Sequence, residues 1–95
     1  MKYTIDYTNN FKKQYKKIKK QGKDLSKLHE IIEKLANGEK LDDKYRNHKL
    51  IDNNFFKTCN ECHISPDWLL IYRLDDNELI LLLIATGSHS ILFNC

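Results

Sequence analysis

Three histidines and one aspartate are the side chains of this sequence best suited to chemistry at neutral pH. They are His48, His63, Asp67 and His89. Imidazole ordinarily titrates near neutrality, so it both accepts and donates protons under physiological conditions. Imidazole and carboxylate are also common metal ligands, so the same set would suit a metal centre. The residues alone leave both a metal site and a metal-independent acid–base site open.

Cleavage of RNA is a reaction that such a set would support without a metal ion. RNA carries its own nucleophile, the ribose 2′-hydroxyl. The enzyme has only to remove that proton, protonate the leaving 5′-oxygen and stabilise the charged phosphorane. Two histidines and a cation are sufficient for these three tasks.

Pro66 predicts how two of these residues are placed. Proline has no N–H and fixes its own φ, and it holds the preceding Ser65 extended, so a strand through His63 ends there. His63 and Asp67 would then flank a tight connection and lie close enough to act together. The plainer interpretation is an ordinary hairpin turn beside a surface histidine, because Ser, Pro and Asp are common in turns.

The run Cys59-Asn60-Glu61-Cys62-His63 has the C-x-x-C-H spacing of covalent haem attachment. That chemistry requires export, and the first 20 residues contain seven lysines and no apolar stretch of a signal peptide. On a strand, residues 59 and 62 face opposite sides, which disfavours a disulfide or a zinc site from this pair. We therefore expect neither haem nor zinc, with Cys62 buried and Cys59 partly exposed.

The elements that position these residues follow from hydrophobic periodicity. Alternation predicts a strand over 2–7, and apolar residues at helical spacing predict two helices, capped by Thr8 and Asp24 and ended by glycines. Further strands are predicted over 55–64, 68–74, 79–85 and 89–93. The order β-α-α-β-β-β-β predicts an α+β fold, a mostly antiparallel sheet with an αα-hairpin packed on it. The strand over 79–85 is apolar on both faces and is expected inside the sheet.

Residues 39–54 have no clean period and predict a long loop, which in so small a chain tends to be functional. Tyr45, Arg46, His48 and Lys49 would supply stacking, charge and a titratable group from this one segment.

Length and charge bound the function. The 95 residues suffice for a single domain over 1–95. Residues 1–49 contain 14 basic and 7 acidic side chains, which predicts a nucleic-acid partner or a solvated lysine-rich face. The longest apolar run, 79–85, is too short to span a bilayer. We expect a cytoplasmic protein with reduced thiols and no membrane partner.

Three motifs stand out along the chain: YRNHKL at 45–50, ECHISPDWLLIY at 61–72 and TGSHSILF at 86–93. Together, in this order and with these gaps, they resemble the YafQ branch of the RelE/ParE toxin superfamily. The resemblance implies a RelE-like fold similar to microbial ribonucleases. It also implies a type II toxin that cleaves mRNA in the ribosomal A site without a cofactor. Its partners would be the antitoxin of the adjacent gene, mRNA and the ribosome, with operator DNA bound only through the antitoxin.

The resemblance also assigns roles to residues. His89 is expected to be the general acid and His63 or His48 the general base, with Asp67 orienting a histidine or aiding proton removal. Trp68 and Phe93 are expected to shape the site or to stack on a base, an interaction that contributes about 1–3 kcal/mol per base.

Two departures from the family concern the phosphate. Many relatives carry arginine near Asn60 and just before the Thr-Gly turn, where this chain has Ala85, and Ile91 replaces a frequent acidic residue. The phosphate charge would then be met by other cations. The candidates are Arg46, Lys49, Lys57 and Arg73. The alternatives are a ParE-like gyrase poison, against which the histidines argue, and a non-catalytic member that binds RNA or protein.

Overall fold

The computed structural model describes residues 1–50 and 59–93. In chain order the elements are β1 (Thr4–Tyr7), α1 (Asn9–Lys20), α2 (Leu25–Ala36), a 3-10 turn (Asp43–Tyr45), β2 (His48–Lys49), β3 (Asn60–Ser65), β4 (Trp68–Asp75), β5 (Ile80–Gly87) and α3 (His89–Phe93). Across these two ranges, no helix has both the length and the apolar character needed to cross a bilayer.

The strands form one sheet in the order β1-β5-β4-β3-β2. β1 runs parallel to β5, and the other three pairings are antiparallel. The predicted α+β fold with a mostly antiparallel sheet is confirmed. β5 lies between β1 and β4, in the interior position that its apolar pattern predicts.

Both long helices begin where the sequence predicts. The Thr8 hydroxyl accepts the N–H of Phe11 at 3.1 Å, and the Asp24 carboxylate accepts the N–H of Ser26 at 3.1 Å. Each such cap typically contributes about 1 kcal/mol by satisfying an N–H that has no partner within the helix. The Thr8 hydroxyl also donates to the Ile84 carbonyl at 2.7 Å, so the cap fixes α1 to β5.

The sheet has a buried cluster on each face. One cluster lies under α1 and α2 and contains Phe11, Leu28 and Leu70, among others. The second cluster lies on the opposite face, where α3 covers it with Leu92. We call these the helix face and the site face. Strand alternation places Cys62 in the first cluster and Cys59 in the second, as the spacing predicts.

Two predictions about this face were wrong. Residues 89–93 form helix α3 and not a strand. Gly87, with φ of 153°, ends β5, and the Ser88 carbonyl accepts the N–H of Leu92 at 3.0 Å. The turn buries Leu92. Cys59 is 2% exposed and not partly exposed, because it packs in the second cluster.

The segment 39–54 is less irregular than predicted. Its described part contains the 3-10 turn and the short strand β2, which pairs with β3. The start of the strand predicted over 55–64 lies outside the described residues.

Candidate active site

A buried carboxylate lies between two histidines on the site face. Glu61 and His63 alternate with Cys62 in β3, and His48 of β2 is the cross-strand partner of Glu61. All three side chains therefore share one face. The Glu61 Oε1 atom lies 3.5 Å from His48 Nε2 and 3.4 Å from His63 Nε2.

Exposure differs within this cluster in a way that suits proton transfer. The Glu61 side chain is 8% exposed, whereas those of His63 and His48 are 21% and 50% exposed. The carboxylate thus stays away from solvent while both rings reach it. A buried charge needs a partner, and here two imidazoles supply one.

The backbone orients His48. Its Nδ1 atom lies 2.7 Å from the carbonyl oxygen of Arg46, a residue held at φ 48°. Both ring nitrogens thus face acceptors, the Arg46 carbonyl and the Glu61 carboxylate. The doubly protonated ring satisfies both contacts at once.

Asn47, which lies between Arg46 and His48 in the chain, is hydrogen-bonded to a residue of the helix face. The Tyr72 hydroxyl donates to Asn47 Oδ1 at 2.5 Å. Burial raises the pKa of Tyr72 to about 12, so this hydroxyl stays protonated and acts as the donor at neutral pH. The bond connects the sheet to the segment that carries Arg46 and His48.

Asp67 and His89 form a second group at the same end of the sheet. Asp67 Oδ1 accepts the backbone N–H of His89 at 3.5 Å, so the carboxylate holds the start of α3. The His89 ring lies 4.7 Å from the ring of Phe93, tilted by 35°. His89 is exposed, whereas Phe93 is partly buried against the second cluster.

The two groups lie across the sheet from each other. His63 pairs with Leu69, and Leu69 pairs with Gly87, two residues before His89. Adjacent strands are about 4.8 Å apart, so the β3 and β5 backbones are separated by about 10 Å at this level. The structure therefore brings His48, His63, Asp67 and His89 to one end of the sheet, in two groups. Within residues 1–50 and 59–93, no three His, Cys, Asp or Glu side chains form a metal-binding group.

Trp68 does not belong to this surface. It is 3% exposed, lies in the helix-face cluster and donates from Nε1 to the Thr86 hydroxyl at 3.0 Å. The Lys23 ammonium lies 5.6 Å from its ring centroid. Stacking of Trp68 on a base is therefore incompatible with the structure.

The predicted cations are distributed unevenly. Arg73 is on the site face, and its guanidinium donates to Cys59 Sγ at 3.7 Å. Arg46 is exposed beside His48. Lys49 is exposed but alternates with His48 in β2, away from Glu61. Lys57 lies outside the described residues.

Sequence reasoning missed Glu61 as a site residue. The available signal was its separation of two positions from His63, which on a strand places both side chains on one face. Its contact with His48 depends on the register of β2 and β3, which the sequence does not show.

Comparison with known proteins gives the family. The profile described as bacterial toxin of type II toxin–antitoxin system, YafQ, matches residues 3–94. The mRNA interferase toxin YafQ of Escherichia coli strain B / BL21-DE3 is 36% identical over 90 residues, 94% of each chain.

Solved structures agree with this result. A metal-bound toxin from Helicobacter pylori is 38% identical, with a TM-score of 0.89 over 96% of this chain and 99% of its own. The toxin in an E. coli DinJ–YafQ complex is 35% identical, with a TM-score of 0.85 over 96% of this chain and 98% of its own. The chain therefore belongs to the YafQ family of bacterial type II toxins.

Proposed function

We propose that this toxin cleaves mRNA in the ribosomal A site by metal-independent acid–base catalysis. The reaction class follows from the family, whose relatives at this identity are mRNA interferases. The observation that carries the mechanism is the Glu61 carboxylate between His48 and His63, across the sheet from His89.

His63 is the general base in this proposal. It removes the proton of the 2′-hydroxyl, and Glu61 stabilises the imidazolium that forms. The 2′-oxygen attacks phosphorus, so a 2′,3′-cyclic phosphate forms as the bond to the 5′-oxygen breaks. His48 is less suited to the role of base, because both its nitrogens face acceptors. As a cation it stabilises the charge on the phosphorane.

His89 is the general acid and protonates the leaving 5′-oxygen. It is exposed at the start of α3, and Asp67 positions it through the backbone rather than through the ring. Phe93, packed against the His89 ring, offers an aromatic surface for a base. Arg46, exposed beside His48, and Arg73, on the site face, supply the positive charge that the resemblance expects from arginines near Asn60 and at Ala85.

The partners follow from relatives. A solved relative is a DinJ–YafQ toxin–antitoxin complex, and we propose that an antitoxin encoded by the adjacent gene neutralises this toxin by covering the site face. Operator DNA is then bound only through the antitoxin, and the toxin acts in the cytoplasm on mRNA at the ribosome.

Mapping of transcripts by primer extension after induced expression tests the activity. We expect discrete cleavage sites within translated mRNA, which disappear when the neighbouring gene is co-expressed. Purified His63→Ala, Asp67→Ala and His89→Ala proteins should cleave at least roughly 100-fold more slowly than wild type on programmed ribosomes. EDTA, at a concentration low enough to leave the ribosomes intact, should not change the rate of cleavage by wild type.

Two outcomes would overturn the proposal. Wild-type rates in all three variants would refute the acid–base assignment. Toxicity that survives His89→Ala without any RNA cleavage would instead indicate a gyrase-poisoning or purely binding mode.

A further inference from the structure

A concave feature of the surface adjoins the histidine cluster. It is a cavity of about 510 Å³ between α2, the 3-10 turn and the end of β3. Its walls include Lys27, Glu30, Lys44, Tyr45, Arg46 and His63. Its volume lies within the range of about 300–1,000 Å³ that is usual for sites binding small molecules.

The cavity is positively charged. Lys27 comes from α2, whereas Lys44 and Arg46 come from the segment around the 3-10 turn, so two separate elements direct three cations towards one space. Among the described residues of these walls Glu30 is the one carboxylate, and its Oε1 atom already lies 3.9 Å from the Lys34 ammonium. Like charges gathered in a cleft favour an anionic ligand.

The cavity is continuous with the active site through two residues. His63 lines the cavity and also contacts Glu61. Arg46 also lines the cavity, and its carbonyl oxygen contacts His48 Nδ1. A polyanion bound at the histidines therefore reaches the cavity without leaving the protein surface.

The walls suit a nucleotide in particular. Tyr45 packs against the helix-face cluster, and the Lys44 ammonium lies 5.1 Å from the centroid of its ring. Single-stranded RNA is generally bound by such combinations of cations with aromatic rings.

We propose that this cavity is a subsite for one nucleotide next to the cleaved bond, with its phosphate bound by Lys27 and Lys44. The inference rests on the proposed function, because it takes RNA as the substrate. It adds a specific non-scissile phosphate to the contacts made at the histidines.

The test uses single-stranded RNA oligonucleotides that carry the mapped cleavage sequence and a 2′-O-methyl group at the cleaved nucleotide. The methyl group prevents cleavage, so binding is measured alone by fluorescence anisotropy over a series of salt concentrations. In each oligonucleotide of a set, one linkage is a neutral methylphosphonate. The proteins are wild type, the cavity variant Lys27→Gln/Lys44→Gln and a control, Lys13→Gln/Lys16→Gln, which removes the same charge from exposed positions of α1.

The cavity variant should bind the unmodified RNA roughly tenfold more weakly than the control variant does. Because Lys27 and Lys44 bind one phosphate, their loss should reduce the slope of log K against log salt by about 0.7, the value for one phosphate on a single strand. One non-scissile methylphosphonate should weaken binding to wild type and control but not to the cavity variant. Circular dichroism melting should show that all three proteins are folded.

The proposal fails if the cavity and control variants lose affinity for RNA equally, or if wild type does not bind these RNAs. It also fails if no single methylphosphonate weakens binding to wild type more than binding to the cavity variant. None of these results affects cleavage of mRNA by wild type, which tests the proposed function separately. If the cavity variant binds RNA normally but no longer binds the co-expressed antitoxin, the cavity is a protein-binding site and the RNA subsite is excluded.

Discussion

Two polar side chains are buried among the described residues, one on each face of the sheet, and their surroundings differ. On the helix face, the Thr86 hydroxyl accepts from Trp68 Nε1 at 3.0 Å and donates to the Leu69 carbonyl at 2.8 Å. On the site face, Glu61 contacts two partly exposed imidazoles at 3.4 and 3.5 Å. Two neutral hydrogen bonds hold Thr86 within the fold, whereas Glu61 lies beside the two rings to which the proposed mechanism assigns catalytic roles.

The largest expected effect comes from Glu61. Replacing it in Glu61→Gln removes the charge that stabilises the imidazolium of His63, so cleavage should fall by roughly 100-fold or more. Single-turnover rates on programmed ribosomes measure this loss. Glu33→Gln, at an exposed position of α2, is the matched control and should cleave at the wild-type rate. Equal rates in both variants would show that Glu61 serves only the fold.

Thr86→Val should show the opposite behaviour. It leaves the Trp68 N–H without its partner in a buried site, and such a loss costs about 1–3 kcal/mol of unfolding free energy. Urea titration measures the cost. Cleavage per folded molecule should stay close to wild type, and a large fall in the rate of the folded protein would contradict the distinction between the two faces. Ser90→Ala, at an exposed position of α3, is the control for stability.

The last expected change in stability is absent at neutral pH, and it comes from two buried groups of the helix face. Burial raises the pKa of Tyr72 to about 12, from 10.0, and that of the Cys62 thiol to about 12, from 9.0. Both folded pKa values lie above the unfolded ones, so this stability is fully present below pH 9 and is lost as pH rises towards 12. Urea midpoints across this range measure the loss.

Tyr72→Phe should reduce that alkaline slope, because one of the two titrating groups is gone. It should also lower cleavage at neutral pH by up to about tenfold, since Asn47 loses the hydrogen bond that fixes the segment around His48. If stability falls with rising pH as steeply in Tyr72→Phe as in wild type, groups other than Tyr72 cause the alkaline loss.

The sequence predicts those parts of the molecule whose causes are local. Thr8 and Asp24 cap their helices through bonds to residues two or three positions away, and the apolar pattern of 79–85 reflects cover on both faces. The chemistry of imidazole identified His48, His63 and His89 as candidates, the resemblance assigned their roles, and the structure places them at one end of the sheet.

Other parts depend on pairing at a distance. The register of β3 and β4 shifts between His63 and Ser65, and Trp68 ends on the helix face. No property of the residues around Pro66 reports that shift. Helix α3 likewise depends on the packing of Leu92 in the cluster on the site face. A run of five residues is compatible with a strand as well as a helix, so the sequence does not show which one forms. Glu61 became recognisable only when β2 placed His48 opposite it.

The parallel pairing of β1 with β5 has a consequence for the order of folding. Thr4 pairs with Ile80, and the Tyr3 hydroxyl donates to Asp76 at 2.5 Å, so the N-terminal strand is held by residues synthesised more than 70 positions later. Contacts of such long range form late because closing the intervening chain costs entropy. During translation, α1 and α2 emerge before the sheet that covers them exists. His63 and His89 are brought to the same end of the sheet only when β5 has inserted between β1 and β4. A chain that has not yet formed β5 therefore lacks the complete candidate site.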